Sequence, residues 1–173
     1  VVGLHKGGLC MNVKNSKAPQ KPYDMVIIGG LGHVGLPLGI SFAYEGLKVC
    51  LYDIDAQRAE EVRRGVMPFV EYGAESVLSE VLKKKTLEIS TDISVVAQGH
   101  FVVVCVGTPV DEYLSPKVRP FLNLFKTLQQ YLTHDQIIII RSTVYPRTCQ
   151  QVGHFLDKEG GPWHIAYCPE RIV

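Results

Sequence analysis

The stretch MVIIGGLGHVGLPLG at residues 25–39 decides the fold of this chain. Apolar residues 25–28 lead into a GxGxxG turn at Gly30–Gly35, and a segment compatible with a helix follows. A buried strand, a glycine-rich turn and a helix in this order are typical of the first half of a βαβ unit. The stretch therefore predicts an α/β domain built on a parallel sheet.

The rest of the sequence repeats this alternation of strand and helix. Strands are predicted at residues 25–29, 47–53, 87–90, 101–106, 136–140 and 164–167. Helices are predicted at 33–45, 56–64, 71–85, from about 121 to 132, and at 146–158. Because right-handed crossovers place helices on both faces of a parallel sheet, we predict a doubly wound sheet with strand order 3-2-1-4-5-6.

Length and composition bound the domain organisation and the function. The 173 residues fit one ordinary domain, expected over 23–173 after a mobile leader at 1–22. A net charge of +1 favours neither a nucleic-acid groove nor an anionic membrane surface. The strongly apolar run at 137–140 is far shorter than the roughly 20 residues of a membrane-spanning helix. We therefore expect no nucleic-acid or membrane partner.

The cysteine pattern favours reduced thiols and a cytoplasmic protein. The five cysteines form no CxxC pair, and the six histidines show no HExxH spacing, so no metal site is predicted. Cys168 follows a predicted strand and raises the question of a nucleophile, but no His or Lys is paired with it in the sequence. We interpret Cys168 as a small buried thiol and Cys105 as a core residue.

The glycine-rich turn predicts a site for a dinucleotide. In such a turn Gly30 permits the tight bend, Gly32 lets a pyrophosphate approach the backbone, and Gly35 allows the helix to pack closely on the strand. The N-terminus of the helix offers free N–H groups and a partial positive charge to phosphates. The alternative is a glycine-rich turn with a structural role alone.

Asp53, at the tip of the second predicted strand, completes the pattern. Its carboxylate can accept hydrogen bonds from the ribose hydroxyls and would repel a 2′-phosphate, so NAD is favoured over NADP. The alternative is a helix-capping role, for which Asp55 is the better candidate. Arg58 is placed either beside the adenine or in solvent.

Polar and small residues follow three other predicted strands. They are Gly107 and Thr108, then Arg141, Ser142 and Thr143, and finally Cys168, Pro169 and Glu170. Ligands of open α/β sheets bind at the carboxyl ends of the strands, so one crevice is predicted there. Each of these residues also has a structural alternative. Thr108 would shape a turn, Ser142 or Thr143 would cap the helix near Pro146, and Glu170 would be a plain surface acid.

Five ordered motifs, GGLGHVGLPLG, LYDID, CVGTPVDEYLSP, IIIIRSTVYP and CPERIV, resemble the UDP-glucose/GDP-mannose dehydrogenase family from about residue 24 onward. The HVGLP turn, the TPVDE segment and the PER motif look most like its UDP-N-acetylmannosamine dehydrogenase branch. The resemblance implies a Rossmann fold, NAD as cofactor and oxidation of the C6 alcohol of a UDP-sugar to a uronate. The cofactor-binding residues it implies are Gly30, Leu31, Gly32, His33, Val34, Gly35, Asp53, Arg58, Gly107, Thr108 and Thr143. Glu170, and with it Thr108, takes the catalytic role.

The resemblance also implies what this sequence does not include. The family's nucleophilic cysteine, its lysine partner, most of its UDP-sugar pocket and the helical region that makes its homodimer all follow the PER motif. We therefore expect the cofactor-binding part of the enzyme, inactive by itself. One alternative is a dehydrogenase of the 6-phosphogluconate or 3-hydroxyacyl-CoA type, against which the TPV, STV and PER motifs argue. The other is a stand-alone NAD-binding or redox-sensing module or degraded relative.

Overall fold

The computed structural model describes residues 21–108, 118–158, 160 and 162–170. Nearly all of the expected leader, residues 1–20, therefore lies outside the described residues. So do residues 109–117, which lie between the fourth predicted strand and the next predicted helix, and residues 171–173 at the end of the CPERIV motif. Within the described part of the chain, no helix is both long enough and apolar enough to span a membrane.

Strands and helices alternate along the chain as the sequence predicts. The strands are β1 (Tyr23–Ile28), β2 (Val49–Tyr52), β3 (Leu87–Ser90), β4 (Gly99–Val104), β5 (Ile137–Ile140) and β6 (His164–Tyr167). The helices are α1 (Gly35–Tyr44), α2 (Ala56–Arg63), α3 (Ala74–Lys84), α4 (Val118–Leu128) and α5 (Thr148–Asp157), with a 3₁₀ helix at Ile93–Gln98. All strand pairs are parallel and the order is β3-β2-β1-β4-β5-β6, which confirms the predicted fold class and topology.

Alternating residues of the central strand β1 pack into two separate hydrophobic cores, one on each face of the sheet. Ile27 packs in a cluster with residues of α1, α2 and α3, whereas Val26 and Ile28 pack in a second cluster with residues of α4 and α5. Successive side chains of a strand point to opposite faces of the sheet. The four-residue apolar run is therefore buried on both sides, and β1 lies in the middle of the domain.

Two helices begin two residues later than the sequence suggests. Helix α1 was expected from His33, but Gly32–Val34 form a turn in which the Leu36 N–H donates to the Gly32 carbonyl at 3.1 Å. Helix α5 was expected from Pro146 but begins at Thr148, after Arg147 with a left-handed φ of 71°. Both starts lie at the carboxyl ends of strands, where the chain must reverse before the helix packs on the sheet.

A buried amide fixes the opposite end of the sheet. Gln136 is fully buried, and its Nε2 donates to the carbonyls of Val96 (2.7 Å) and Gly99 (2.6 Å). Its Oε1 accepts the Thr133 N–H at 2.8 Å. Because its polar atoms are satisfied by backbone groups around the start of β4 and β5, this glutamine has a structural role.

Candidate functional site

The glycines of the turn between β1 and α1 have different tasks from those assigned by sequence. Gly29, and not Gly30, makes the tight bend, with a φ of 73° that side-chain-bearing residues rarely adopt. A Cβ at Gly30 would lie 2.8 Å from the Leu51 Cβ, and one at Gly35 would lie 2.3 Å from the Gly29 carbonyl oxygen. Gly30 and Gly35 therefore permit close packing. The sequence assigned the bend to Gly30, whereas the positive φ lies one residue earlier, at Gly29.

Gly32 faces open space. The nearest atom to a Cβ built at this position is the Gly29 carbonyl oxygen, at an ordinary contact distance of 3.5 Å. Among the described residues, no acceptor is found for the backbone N–H groups of His33, Val34 and Gly35. The turn thus presents unused donors at the N-terminus of α1, where the helix dipole also favours an anion.

Asp53 is held beside this turn by two backbone N–H groups. Its Oδ2 accepts from Leu31 (3.1 Å) and its Oδ1 accepts from Asp55 (3.2 Å). The capping of α2 is performed by Asp55, whose Oδ1 accepts the Arg58 N–H at 3.0 Å, as the sequence suggested. Leu31 itself is fully buried, so its contribution to the site is the N–H that orients the Asp53 carboxylate.

Asp53 and Arg58 lie on one side of the turn, around a cleft of about 330 Å³. Ile54, which is 85% exposed, and Leu124 add apolar walls. The Arg58 side chain is half exposed, and its Nε lies 3.6 Å from the Asp55 carboxylate. This cleft combines a fixed carboxylate, a cation and apolar surface, which suits a nucleoside.

A second cleft, of about 380 Å³, lies on the other side of the turn. Its distinctive residues come from α1, β4, β5 and β6 and their loops: His33, Val34, Thr108, Arg141, Ser142, Thr143 and Glu170. The two clefts share Gly32, Cys105, Val106 and Gly107. They therefore form one groove across the carboxyl ends of the strands, with the glycine turn at its centre.

Hydroxyl groups join the strand ends in the second cleft. The Thr108 hydroxyl donates to the Thr143 carbonyl (2.8 Å), and the Thr143 hydroxyl donates to the Glu170 carbonyl (3.2 Å). Ser142 is buried and donates to the Val106 carbonyl at 2.7 Å. Neither Ser142 nor Thr143 caps a helix, so that alternative was wrong; their hydroxyls are used to connect neighbouring loops.

Arg141 organises the end of β6. One guanidinium nitrogen pairs with the Glu170 carboxylate, and the other donates to the Cys168 carbonyl (3.2 Å) and contacts its Sγ (3.4 Å). Glu170 is therefore part of a network and not a plain surface acid. Sequence reasoning placed Arg141 in the predicted crevice but gave it no individual role, because its partner Glu170 is distant in sequence.

Of the two cysteines near the groove, one differs from the expected burial. Cys168 is exposed, so its interpretation as a buried thiol was wrong; it follows β6, which is an edge strand of the sheet that the described residues form. Cys105 is half-buried in the core, and burial raises the pKa of its thiol to about 12, opposed in part by Arg141. The Cys105 thiol is therefore protonated at neutral pH and unsuited to nucleophilic attack.

Comparison with known proteins identifies relatives for this arrangement. Residues 24–173 match the model of the UDP-glucose/GDP-mannose dehydrogenase family, NAD binding domain. The chain is 29% identical over 165 residues to a UDP-N-acetyl-D-mannosamine dehydrogenase of Methanococcus aeolicus, covering 93% of this chain and 37% of the relative. It is 30% identical over 153 residues to a UDP-N-acetyl-D-glucosamine 6-dehydrogenase of Pseudomonas aeruginosa, covering 85% of this chain and 35% of the relative.

Solved structures show the same relationship. The UDP-D-ManNAc dehydrogenase of Pyrococcus horikoshii superimposes with a TM-score of 0.78 at 27% identity, over 86% of this chain and 36% of that one. The UDP-N-acetyl-mannosamine dehydrogenase Cap5O of Staphylococcus aureus gives 0.78 at 28% identity, over 86% and 37%. The chain thus spans about a third of the length of the relatives it matches. It belongs to the UDP-glucose/GDP-mannose dehydrogenase family and contains the NAD-binding domain of that family.

Proposed function

We propose that the groove binds NAD in an extended form, with the adenosine at Asp53, the diphosphate over Gly32–Gly35 and the nicotinamide half between Thr108, Thr143 and Glu170. One observation carries this assignment. The unused N–H groups at the start of α1 lie at the centre of a groove, and Gly32 lines the clefts on both sides. A diphosphate at this point would leave its two nucleoside parts in the two clefts.

The contacts on each side suit the two ends of the cofactor. Each Asp53 oxygen accepts one backbone N–H and retains lone pairs with which it can accept the hydroxyls of the adenosine ribose. The hydroxyls of Thr108 and Thr143 already donate to carbonyls, so their oxygens remain available to a ligand as acceptors. They would receive hydrogen bonds from ribose hydroxyls or from the carboxamide. Bound NAD supplies the chemistry of accepting a hydride.

We propose further that the whole protein is an NAD-dependent UDP-sugar 6-dehydrogenase. The relatives named above act on UDP-N-acetylmannosamine and UDP-N-acetylglucosamine, so we propose a UDP-N-acetylhexosamine as substrate. Glu170 lines the second cleft and is held there by Arg141, and we propose that its carboxylate assists proton transfer during oxidation of the C6 alcohol. The homodimer and the cytoplasmic location remain predictions.

Titration calorimetry with Asp53→Ala and Asp55→Ala tests the cofactor site. Asp53→Ala removes the proposed ribose acceptor, so NAD affinity should fall about tenfold or more, as expected for a hydrogen bond to a charged group. Asp55 is the matched control, because its carboxylate caps α2 and touches the site only through an exposed ion pair with Arg58, which is a weak interaction; Asp55→Ala should leave NAD affinity within about twofold. NADP should bind more weakly than NAD to the unmodified chain.

Two results would contradict the proposal. The first is an unmodified chain, shown to be folded by circular dichroism, that does not bind NAD. The second is an equal loss of affinity in both variants, which would mean that the effect comes from the β2–α2 loop and not from a contact with Asp53. Incubation with NAD and the two UDP-N-acetylhexosamines tests the expectation that this chain is inactive by itself. Sustained NADH formation would contradict it, because the catalytic chemistry would then lie within these 173 residues.

A further inference from the structure

An aromatic side chain from the loop between α2 and α3 contacts the glycine-rich turn. The ring of Phe69 lies 4.1 Å, centroid to centroid, from the imidazole of His33, with the two planes tilted by 33°. The two residues are distant in sequence and on different elements. Phe69 packs against the core cluster of α1–α3, and Met67 in the same loop is buried. Phe69 is therefore anchored in the domain.

His33 has no comparable anchor of its own. It is exposed and lines the second cleft beside Gly32 and Val34. Within the described residues, its side chain takes part in no hydrogen bond and no salt bridge, so the Phe69 ring is the contact that limits its orientation. The charged residues that line the same cleft, Arg141 and Glu170, pair with each other.

We infer that Phe69 is a positioning residue that holds the imidazole of His33 against the diphosphate of the cofactor. The inference rests on the proposed NAD site. A freely rotating side chain loses rotamer entropy when it contacts a ligand, which weakens binding. Stacking on an anchored ring restricts His33 before the cofactor arrives, and offset aromatic pairs contribute stability beyond their buried area. The α2–α3 loop thereby becomes part of the cofactor site without contacting the cofactor.

A double-mutant cycle on NAD affinity tests the pair. Phe69→Leu keeps an apolar side chain but removes the ring, and we expect NAD to bind about three- to tenfold more weakly. Phe69→Tyr keeps the ring and should restore affinity to within about twofold of the unmodified chain. In a His33→Ala background, Phe69→Leu should change affinity by less than about twofold, since no imidazole remains to be positioned. ADP-ribose should show the same losses as NAD, because the two ligands share the diphosphate.

The outcomes separate this inference from the proposed function. If the unmodified chain fails to bind NAD, both are overturned. If it binds NAD but Phe69→Leu has no effect, or weakens binding equally with and without His33, the inference alone is overturned. The same holds if Phe69→Tyr fails to restore affinity.

Proton NMR provides a test that needs no Phe69 variant and therefore holds even if Phe69→Leu does not fold. The Cε1 proton of His33, assigned by its disappearance in His33→Ala, should be shifted upfield by the Phe69 ring in the free protein. Titration with NAD should move this resonance further while leaving it upfield. A resonance at the position of an unstacked histidine, or one that NAD saturation leaves unchanged, would overturn the inference.

Discussion

The first half of the sheet, β1–β3, and the second half, β4–β6, are built differently, although both contribute to the groove. Every residue of β2 and four consecutive residues of β1 are buried, whereas no residue of the edge strand β6 is. Glycines on the covering helices show the same contrast. A Cβ at Gly39 of α1 would lie 2.5 Å from the Leu51 Cδ2, whereas one at Gly153 of α5 would find its nearest neighbour, the Ile165 Cδ1, 3.8 Å away.

The difference teaches how each part of the groove is held in place. Around Asp53 the position of the backbone is fixed by tight contact between helix and strand, so the site is a consequence of core packing. Around Thr143 and Glu170 the strand ends are more exposed and are joined by hydroxyl–carbonyl bonds and by Arg141. Added volume should therefore be damaging where α1 covers β1 and β2, and tolerated where α5 covers β6.

Gly35→Ala should give the largest effect. Its Cβ would lie 2.3 Å from the Gly29 carbonyl oxygen and 2.8 Å from the Gly30 Cα, which are backbone atoms that cannot rotate away. We expect the free energy of unfolding, measured by urea denaturation, to fall by about 3 kcal/mol.

Gly32→Ala is the matched control, because it adds the same methyl group to the same turn. With its nearest contact at 3.5 Å, it should change the free energy of unfolding by less than about 0.5 kcal/mol. It should nevertheless weaken NAD binding, because the added methyl group occupies the proposed diphosphate site. Equal stability of the two variants would contradict the description of the turn as closely packed at one glycine and open at the other.

Much of this organisation was predictable from the sequence. The alternation of apolar runs with helical periodicity determined the strand order, because a right-handed crossover leaves few alternatives. The GxGxxG turn and the acid at position 53 are local signals, and the structure places Gly32 and Asp53 in the same cleft. These features depend on residues that are close together in the chain, so a local sequence motif is enough to predict them.

What the sequence did not reveal depends on contacts between distant residues. The stacking of Phe69 on His33 joins two loops, and the pairing of Arg141 with Glu170 joins two strand ends. Nothing in the local sequence of either partner specifies the other. The exposure of Cys168 was mispredicted for a related reason, because an apolar strand reads the same whether it lies inside the sheet or at its edge.

Gly39→Ala tests the helix–sheet contact of the first half directly. The new methyl group would meet the Leu51 side chain, which is fully buried and has little room to move. We expect a loss of about 1–3 kcal/mol in the free energy of unfolding, despite the higher helix propensity of alanine. A stability equal to that of the unmodified chain would show that Leu51 can repack, and would weaken the contrast between the halves.

Ser142→Ala tests whether side-chain hydrogen bonds stabilise the second half of the sheet. The buried hydroxyl donates to the Val106 carbonyl at 2.7 Å, so its removal leaves that acceptor with one partner fewer. A loss of about 1 kcal/mol is expected. Ser41→Ala is the control, because Ser41 is exposed and its hydroxyl bonds only within α1; its effect should stay within about 0.5 kcal/mol. Equal effects would argue that the Ser142 bond adds nothing beyond an ordinary surface hydroxyl.

Gly153→Ala should have the smallest effect and the opposite sign. Alanine has the higher helix propensity, and the Cβ meets nothing closer than 3.8 Å, so thermal denaturation should show a gain of about 0.5–1 kcal/mol. Gly46→Ala separates free space from backbone geometry. It also has no atom within 4 Å of its Cβ, but its φ of 94° is strained for alanine, so it should destabilise the domain. If Gly153→Ala were destabilising too, α5 would have to pack on β6 as tightly as α1 packs on β2, and the two halves would no longer differ.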